Sequence, residues 1–223
     1  IQHEFKIFGG KNGSQILDLC KTLSVPVITT FHNLSPKFGY AKARIISEIC
    51  TISEKVFVFS EDSKNLLIQQ SYSEPTKIAI IPHGIPKIDS CLKQNTKRPF
   101  TLITGGLIRK DKGVETTLFA LSKFKSINSN FEFIILGSNH PKRRSAIKYR
   151  NRLMCLINSL ELDENITFID QFLPEKDLIS RIVNSDVCIL SYKYQFRSSS
   201  GMLPLYMACG VPIISTEFSY AKA

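Results

Sequence analysis

Phe100-Thr101-Leu102-Ile103-Thr104 leads into Gly105-Gly106-Leu107-Ile108-Arg109-Lys110-Asp111-Lys112-Gly113, and Val114 to Phe124 leads out. The first run is apolar and strand-like, and the last reads as a helix. Two glycines between them let the backbone turn sharply and approach a ligand closely. Arg109 and Lys112 then fall where a strand ends and a helix begins. In an open α/β sheet, ligands bind at that carboxyl end of the strands. Two cations there suit clustered negative charge such as a diphosphate. On spacing alone, an ordinary β-α loop with solvated basic residues explains the stretch equally well.

The same alternation extends in both directions. Upstream, Ser14 to Leu23 has helical spacing, Pro26 to Phe31 is a β-branched strand ending at His32, and Ala41 to Cys50 is a helix. Lys55 to Phe59 is a strand, Ser60 caps a helix through Tyr72, and Lys77 to Ile81 is a strand ending at Pro82-His83-Gly84. Downstream come strands at 131–136, 166–169, 186–190 and 212–215, with helices at 144–160, 175–183 and 202–209. Strands alternating with helices predict parallel sheets built of β-α-β units. The polar, aperiodic stretch from Pro86 to Arg98 breaks the pattern. The expected architecture is therefore α/β with two Rossmann-like domains: 1–86, a linker at 87–98, and 99–223.

Composition narrows the function classes. The apolar runs are strand-sized, so no segment spans a bilayer. The chain opens Ile1-Gln2-His3-Glu4, without an initiator Met and in mid-pattern, and reads as a fragment without a signal peptide. Its six cysteines are scattered, with no C-x-x-C pair, which points to free thiols and a cytoplasmic location. The formal net charge of +10 favours anionic partners. The densest basic run, Lys142-Arg143-Arg144 continued by Lys148, Arg150 and Arg152, carries a single aromatic, Tyr149. It lacks the base-stacking pattern of RNA binders, so nucleic acid is not an expected partner. A solvated helix face is the first reading of that run, and contact with an anionic membrane surface the second.

Several pieces together resemble the retaining glycosyltransferases of the GT-B architecture, family 4. Gly106 to Gly113 is similar to that family's G-x-x-x-x-x-K-G diphosphate loop, and Ile134-Ile135-Leu136-Gly137 to its strand and glycine before the nucleotide. Phe172-Leu173-Pro174 with Asp177-Leu178 resembles its F-x-P-x-x-x-L turn. Ser185-Asp186-Val187-Cys188-Ile189-Leu190 resembles its A-D-V-F-V-L strand, and Met207 to Thr216 is the strongest match. In the first half, Thr30-Phe31-His32 resembles a T-x-H strand end and Pro82-His83-Gly84-Ile85 a P-N-G-V turn. His3-Glu4-Phe5 with Phe8-Gly9-Gly10 is similar to a loop of one bacterial branch.

The resemblance implies sugar transfer from a nucleotide-diphosphate donor to a glycan, lipid-linked or small-molecule acceptor. Negative charge grows on the departing diphosphate, and fixed cations lower that barrier. The chain has no Asp-x-Asp pair, so no metal or other cofactor is expected, and the task falls to Arg109 and Lys112. His32 is implied as a contact to the donor sugar. Gly106, Gly137, Arg197, Ser199, Ser200 and Gly201 are implied on the donor side. Gly9, Gly10, His83 and Gly84 are expected to line a cleft, although glycines there also serve turns.

Two departures from the family pattern matter. The family carries two glutamates before the Ala-x-Gly-x-Pro strand, and the second holds the ribose. Here Arg197 and Leu205 occupy those positions. The chain also lacks the first strands and last helices of the family fold. A non-catalytic GT-B-like protein that binds a nucleotide or carbohydrate is therefore the alternative to the transferase.

Overall fold

The structure is a computed structural model, and it describes residues 1–5, 7–88, 98–137 and 144–222. The chain divides into two compact units. The first comprises Ile1–Gly84, Gln195–Ser200 and Phe218–Ala223, and the second Ile85–Tyr194 and Gly201–Glu217.

In the first unit, β1 (Gln2–His3), β2 (Ile28–Phe31), β3 (Lys55–Val58) and β4 (Ile78–Ile80) form a parallel sheet in sequence order. Helices α1 (Gln15–Thr22), α2 (Tyr40–Ile52) and α3 (Glu61–Gln69) make the crossovers. Each presents an apolar stripe at helical spacing. Ile16, Leu17 and Cys20 of α1, and Ile45, Ile46, Ile49 and Cys50 of α2, are buried together with Phe31, Val56 and Val58 of the strands. Ser60 caps α3 as its sequence position predicts: its Oγ accepts the Ser63 amide at 3.3 Å.

In the second unit, β5 (Phe100–Gly105), β6 (Phe131–Leu136), β7 (Ile166–Ile169), β8 (Val187–Leu190) and β9 (Ile213–Ser215) are parallel in the order β7-β6-β5-β8-β9. Helices α4 (Val114–Lys125), α5 (Arg144–Ser159), α6 (Glu175–Val183) and α7 (Met202–Ala208) lie between them. Residues 101–105 of β5 are all buried, as are four consecutive residues of β6. Such runs are what a central parallel strand covered on both faces requires. Tyr149, Leu153 and Ile157 of α5 and Val114, Leu118 and Leu121 of α4 complete this core. The strand order reverses direction between β5 and β8. That is the topological switch point of a doubly wound sheet, outside which a crevice opens at the carboxyl ends.

The α/β class with two parallel sheets is thus as expected. The sequence reads Ile1 to Phe5 as the end of a strand or a loop, and β1 lies there; the pattern missed a turn of 3-10 helix at Lys110–Lys112 and α8 (Ser219–Lys222). It also placed everything after residue 98 in one domain, whereas two short segments of that half pack within the first unit. Phe196 packs on the first unit's core, the Leu34 amide donates to Ser198 Oγ at 2.9 Å, and the Ser219 amide donates to Gln195 O at 2.7 Å. Short polar segments such as these carry no periodicity to betray their destination. Most of the expected linker, together with Lys142 and Arg143, lies outside the described residues. Five described cysteines, Cys20, Cys50, Cys155, Cys188 and Cys209, are free. Among the described residues, no helix is long and apolar enough to cross a membrane.

Candidate functional site

The loop after β5 is held against the end of β8 at the switch point. Gly113 begins α4 with φ +65°. A Cβ there would lie 1.9 Å from Ser191 O, so only glycine permits this contact. Ser191 Oγ donates to Lys112 O at 3.0 Å and accepts from Thr117 Oγ1 at 3.0 Å, and the Lys193 amide donates to Asp111 O at 3.0 Å. Across the loop, a Cβ on Gly137 would stand 1.9 Å from the Gly106 carbonyl oxygen. Gly137, expected as a donor-side residue, thus sets the path of the Gly106 turn by close approach.

The two cations expected to meet a diphosphate differ in their surroundings. Lys112 Nζ sits 3.3 Å from Tyr192 Oη and 4.7 Å from the centre of that ring, and lies 3.4 Å from where a Gly106 Cβ would stand. Arg109 is half-exposed and pairs with the Asp111 carboxylate at 3.0 Å. The sequence pattern assigns Asp111 no role. It shares Arg109's charge, so Lys112 is the cation more firmly built into this loop.

Beneath the loop is a polar cluster that sequence reasoning misses. Glu115, in the first turn of α4, is 7% exposed. Its Oε2 accepts from Tyr149 Oη at 2.7 Å and pairs with Lys193 Nζ at 3.2 Å. Burial alone pushes the Glu115 carboxyl up, but the Tyr149 hydroxyl, a backbone amide and Lys193 outweigh it and hold the carboxyl below its ordinary range. Burial and the neighbouring carboxylate raise the Tyr149 phenol. The available signal is an acidic residue on the stripe that carries Val114 and Leu118, since a buried carboxylate requires partners.

Gly201 precedes α7, and Leu205 lies on that helix, half-buried. A leucine side chain offers no acceptor to a ribose hydroxyl. Tyr206 on α7 is fully buried, and its hydroxyl oxygen lies 3.3 Å from where a Gly105 Cβ would stand.

In the first unit, the strand ends carry a cluster of half-buried rings. His32 lies 5.0 Å from Phe59 and 6.4 Å from His83, and Phe59 lies 5.2 Å from His83. Gln2 Nε2 donates to Thr30 Oγ1 at 3.3 Å, which turns Gln2 Oε1 toward His32 Nε2 at 2.6 Å. His32 Nε2 therefore carries the proton and Nδ1 is the acceptor. Burial, then the proximity of His83, lower the His32 pKa despite the opposing pull of Glu4. The ring is therefore neutral at pH 7. His83 Nδ1 donates to Gly84 O at 2.8 Å.

Ser199, expected on the donor side, donates its hydroxyl to His32 O at 2.6 Å, and Ser200 is buried. The Arg197 backbone is held at both ends by Ser219 Oγ, at 2.8 Å each. These three residues belong to the first unit, unlike Gly106, Lys112 and Gly137. Gly9 and Gly10 form the turn into α1: the Gln15 amide donates to Gly9 O at 3.1 Å, and Gly10 has φ +79°. A depression of about 420 Å³ is lined by Val25 to Val27, Thr51 to Glu54 and Lys77, at the amino ends of the strands and away from these groups.

In a doubly wound sheet the ligand crevice lies outside the carboxyl ends of the strands at the switch point, and this glycine-flanked cationic loop stands at that place in the second sheet. Residues 86–222, more than half of the chain, match the family described as Glycosyl transferases group 1. The chain belongs to that family. Solved structures with the same fold include the Anabaena protein HepE in complex with UDP and glucose, with a TM-score of 0.74 and 16% identity over 88% of this chain and 54% of that one. Sucrose-phosphate synthase from Thermosynechococcus elongatus matches with a TM-score of 0.72 and 18% identity over 91% and 53%. The UDP-forming α,α-trehalose-phosphate synthase from Burkholderia vietnamiensis gives 0.71 and 11% over 95% and 57%. The fold is accordingly that of the GT-B glycosyltransferases. The chain spans about half the length of these structures. Comparison with curated protein sequences finds no match.

Proposed function

We propose that this protein is a retaining hexosyltransferase of family 4, taking its sugar from a nucleotide diphosphate without a metal ion. The observation that carries the reading is Lys112, fixed in a glycine-flanked loop at the switch point of the second sheet. Cleavage of the bond between the sugar's anomeric carbon and the diphosphate oxygen leaves negative charge on that oxygen. A cation already in place stabilises the charge as it forms and needs no reorganisation. Arg109 is assigned to the same diphosphate, reaching it by exchanging its bond to Asp111. Gly106 and Gly137 supply backbone at close range, with Gly201 beside them in the second unit.

In the first unit, the neutral His32 ring is assigned to a sugar hydroxyl, which its Nδ1 accepts as a hydrogen bond. Arg197, Ser199 and Ser200 are assigned to the donor side, with the Ser199 hydroxyl also holding the His32 carbonyl, and His83 and Gly84 shape the surface beside His32. The working division assigns the acceptor side to 1–86 and the nucleotide-sugar side to 99–223. A cytoplasmic location, with peripheral contact to anionic lipid through the basic face of α5, completes the reading.

Lys112→Ala tests it. Loss of at least tenfold in transfer, with an unchanged circular dichroism spectrum, is expected, since one charge-stabilising donor contributes at least about that much. Unchanged turnover refutes the assignment. One observation favours a second reading, a non-catalytic nucleotide binder: Leu205 stands where the family pattern has a ribose-binding glutamate. UDP binding by calorimetry, with no hydrolysis or transfer from any nucleotide sugar, selects that alternative.

A further inference from the structure

We propose that Gln2 is a positioning residue that fixes the His32 ring with its proton on Nε2, so that Nδ1 is the nitrogen offered to a sugar hydroxyl. The inference rests on the reading of His32 as a sugar contact and deepens it.

The register of the first sheet brings the two residues together. Gln2 of β1 lies opposite Thr30 of β2, and His3 lies opposite Phe31. Side chains alternate between the faces of a sheet, so Gln2 and Thr30 share one face, and His3 and Phe31 the other. The ladder runs one residue past β2, because the His32 amide donates to His3 O at 3.1 Å. His32, two residues beyond Thr30, therefore returns to the face that carries Gln2. His3 and Phe31 are buried on their face, whereas Gln2 is exposed and His32 half-buried on theirs.

Two hydrogen bonds then orient the ring. Gln2 Nε2 donates to Thr30 Oγ1 at 3.3 Å, and Gln2 Oε1 faces His32 Nε2 at 2.6 Å. An amide oxygen only accepts, so the proton of the pair sits on His32 Nε2. Other contacts place the ring without choosing between its nitrogens. His3 O holds the His32 amide, the Ser199 hydroxyl holds its carbonyl at 2.6 Å, and the Phe59 ring lies 5.0 Å away. Among the described residues, Gln2 is the one that hydrogen-bonds a ring nitrogen of His32. Burial and His83 together keep the ring neutral at pH 7 against the opposing pull of Glu4, so Nδ1 retains its lone pair. A lone pair accepts from a hydroxyl and offers nothing to an anionic oxygen.

The test is NMR at pH 7 on the full chain with its histidine ring nitrogens labelled. His32→Asn identifies the His32 signals, and all variants are checked for matched circular dichroism. The unsubstituted chain is expected to carry the His32 proton on Nε2, with the ring N–H signal visible because the Gln2 oxygen protects it from exchange with water. Gln2→Leu offers no acceptor and is expected to lose that signal and to populate the form protonated on Nδ1. Gln2→Glu keeps an acceptor at the same place and is expected to retain the signal. Gln2→Lys presents only donors and is expected to move the proton to Nδ1.

A proton on Nδ1 in the unsubstituted chain overturns the proposal. So does a His32 spectrum that Gln2→Leu or Gln2→Lys leaves unchanged, since a residue that merely supports the strand does not choose a tautomer. UDP-glucose added to the unsubstituted chain is expected to move the Nδ1 signal more than that of Nε2. If the tautomer is as expected and UDP-glucose moves neither nitrogen, the assignment of His32 to the sugar fails, and this failure is distinct from failure of the Gln2 contact.

Discussion

The cluster beneath the loop after β5 makes a quantitative claim about Tyr149→Phe. The substitution leaves a buried ring of nearly the same shape and deletes one hydroxyl, which donates to Glu115 Oε2 at 2.7 Å. Glu115 is 7% exposed, so water does not replace the lost donor. A hydrogen bond to a charged group contributes about 1.5 to 3 kcal/mol. For a chain of this size that corresponds to roughly 3 to 12 °C in melting temperature. Lys193 still pairs with the carboxylate at 3.2 Å, but its side chain is partly exposed, which places the expected cost toward the lower end.

The pH dependence fixes the cause. The folded-state pKa of Glu115 is depressed. Its contribution is therefore fully present above the unfolded value, about 4.3, and is lost as pH falls through the lower folded value. Removing the Tyr149 hydroxyl raises the folded pKa, so the variant loses this contribution at a higher pH than the parent. Urea titrations at pH 7 and pH 3, with unchanged m, should show a large difference at pH 7 that shrinks at pH 3. A difference below about 0.5 kcal/mol at pH 7, or one equal at both pH values, refutes the argument that a paired carboxylate holds this loop.

Two further outcomes follow from the geometry. In Gly137→Ala, the new Cβ meets the Gly106 carbonyl oxygen at 1.9 Å. Backbone must move by more than about 1 Å to restore ordinary contact. UDP affinity should fall at least tenfold by calorimetry with helix content retained, and unchanged affinity shows that the Gly106 turn is not part of the binding surface. His3 is fully buried among Phe5, Phe8 and Phe31, and among the described residues neither ring nitrogen has a hydrogen-bond partner. Burial, then His32, lower its pKa from 6.5 to about 4. Between those values the unfolded chain binds the proton and the folded chain does not, so stability falls with pH by about 3 kcal/mol in total. His3→Phe should flatten that slope in urea midpoints measured from pH 7.5 to 4.5, and equal slopes in both proteins count against a neutral buried His3.

How far the sequence discloses this molecule depends on the range of each interaction. Helices and strands follow from the spacing of apolar residues within one segment, and the stripes at Ile45, Ile46, Ile49 and Cys50 or at Tyr149, Leu153 and Ile157 are plain from that spacing alone. The loop between β5 and α4 is legible for the same reason, since its glycines and cations are contiguous. What stays hidden is pairing between distant residues. Tyr192 stands 80 residues from the lysine it touches, and Lys193 stands almost as far along the chain from the Glu115 carboxylate it pairs with. The Ser198 and Ser199 hydroxyls reach the end of β2, a contact that the sequence, which places Ser199 and Ser200 on the donor side by resemblance, does not announce.

The hidden contacts share one physical feature. A glycine-flanked loop permits a close approach to phosphate but does not by itself hold a lysine in place. The holding comes from the end of β8, where Ser191 binds the Lys112 carbonyl and Tyr192 its ammonium, while Thr117 and Glu115 anchor the first turns of α4 to the same segment. β5 and β8 are adjacent only because the strand order reverses between them. A sheet in simple sequence order, like that of the first unit, would put β6 at one side of β5 and leave residues 191–193 strands away. The topology therefore does more than open a crevice. It brings the end of β8 into contact with the cationic loop, and through that proximity Lys112 is held at both its carbonyl and its ammonium.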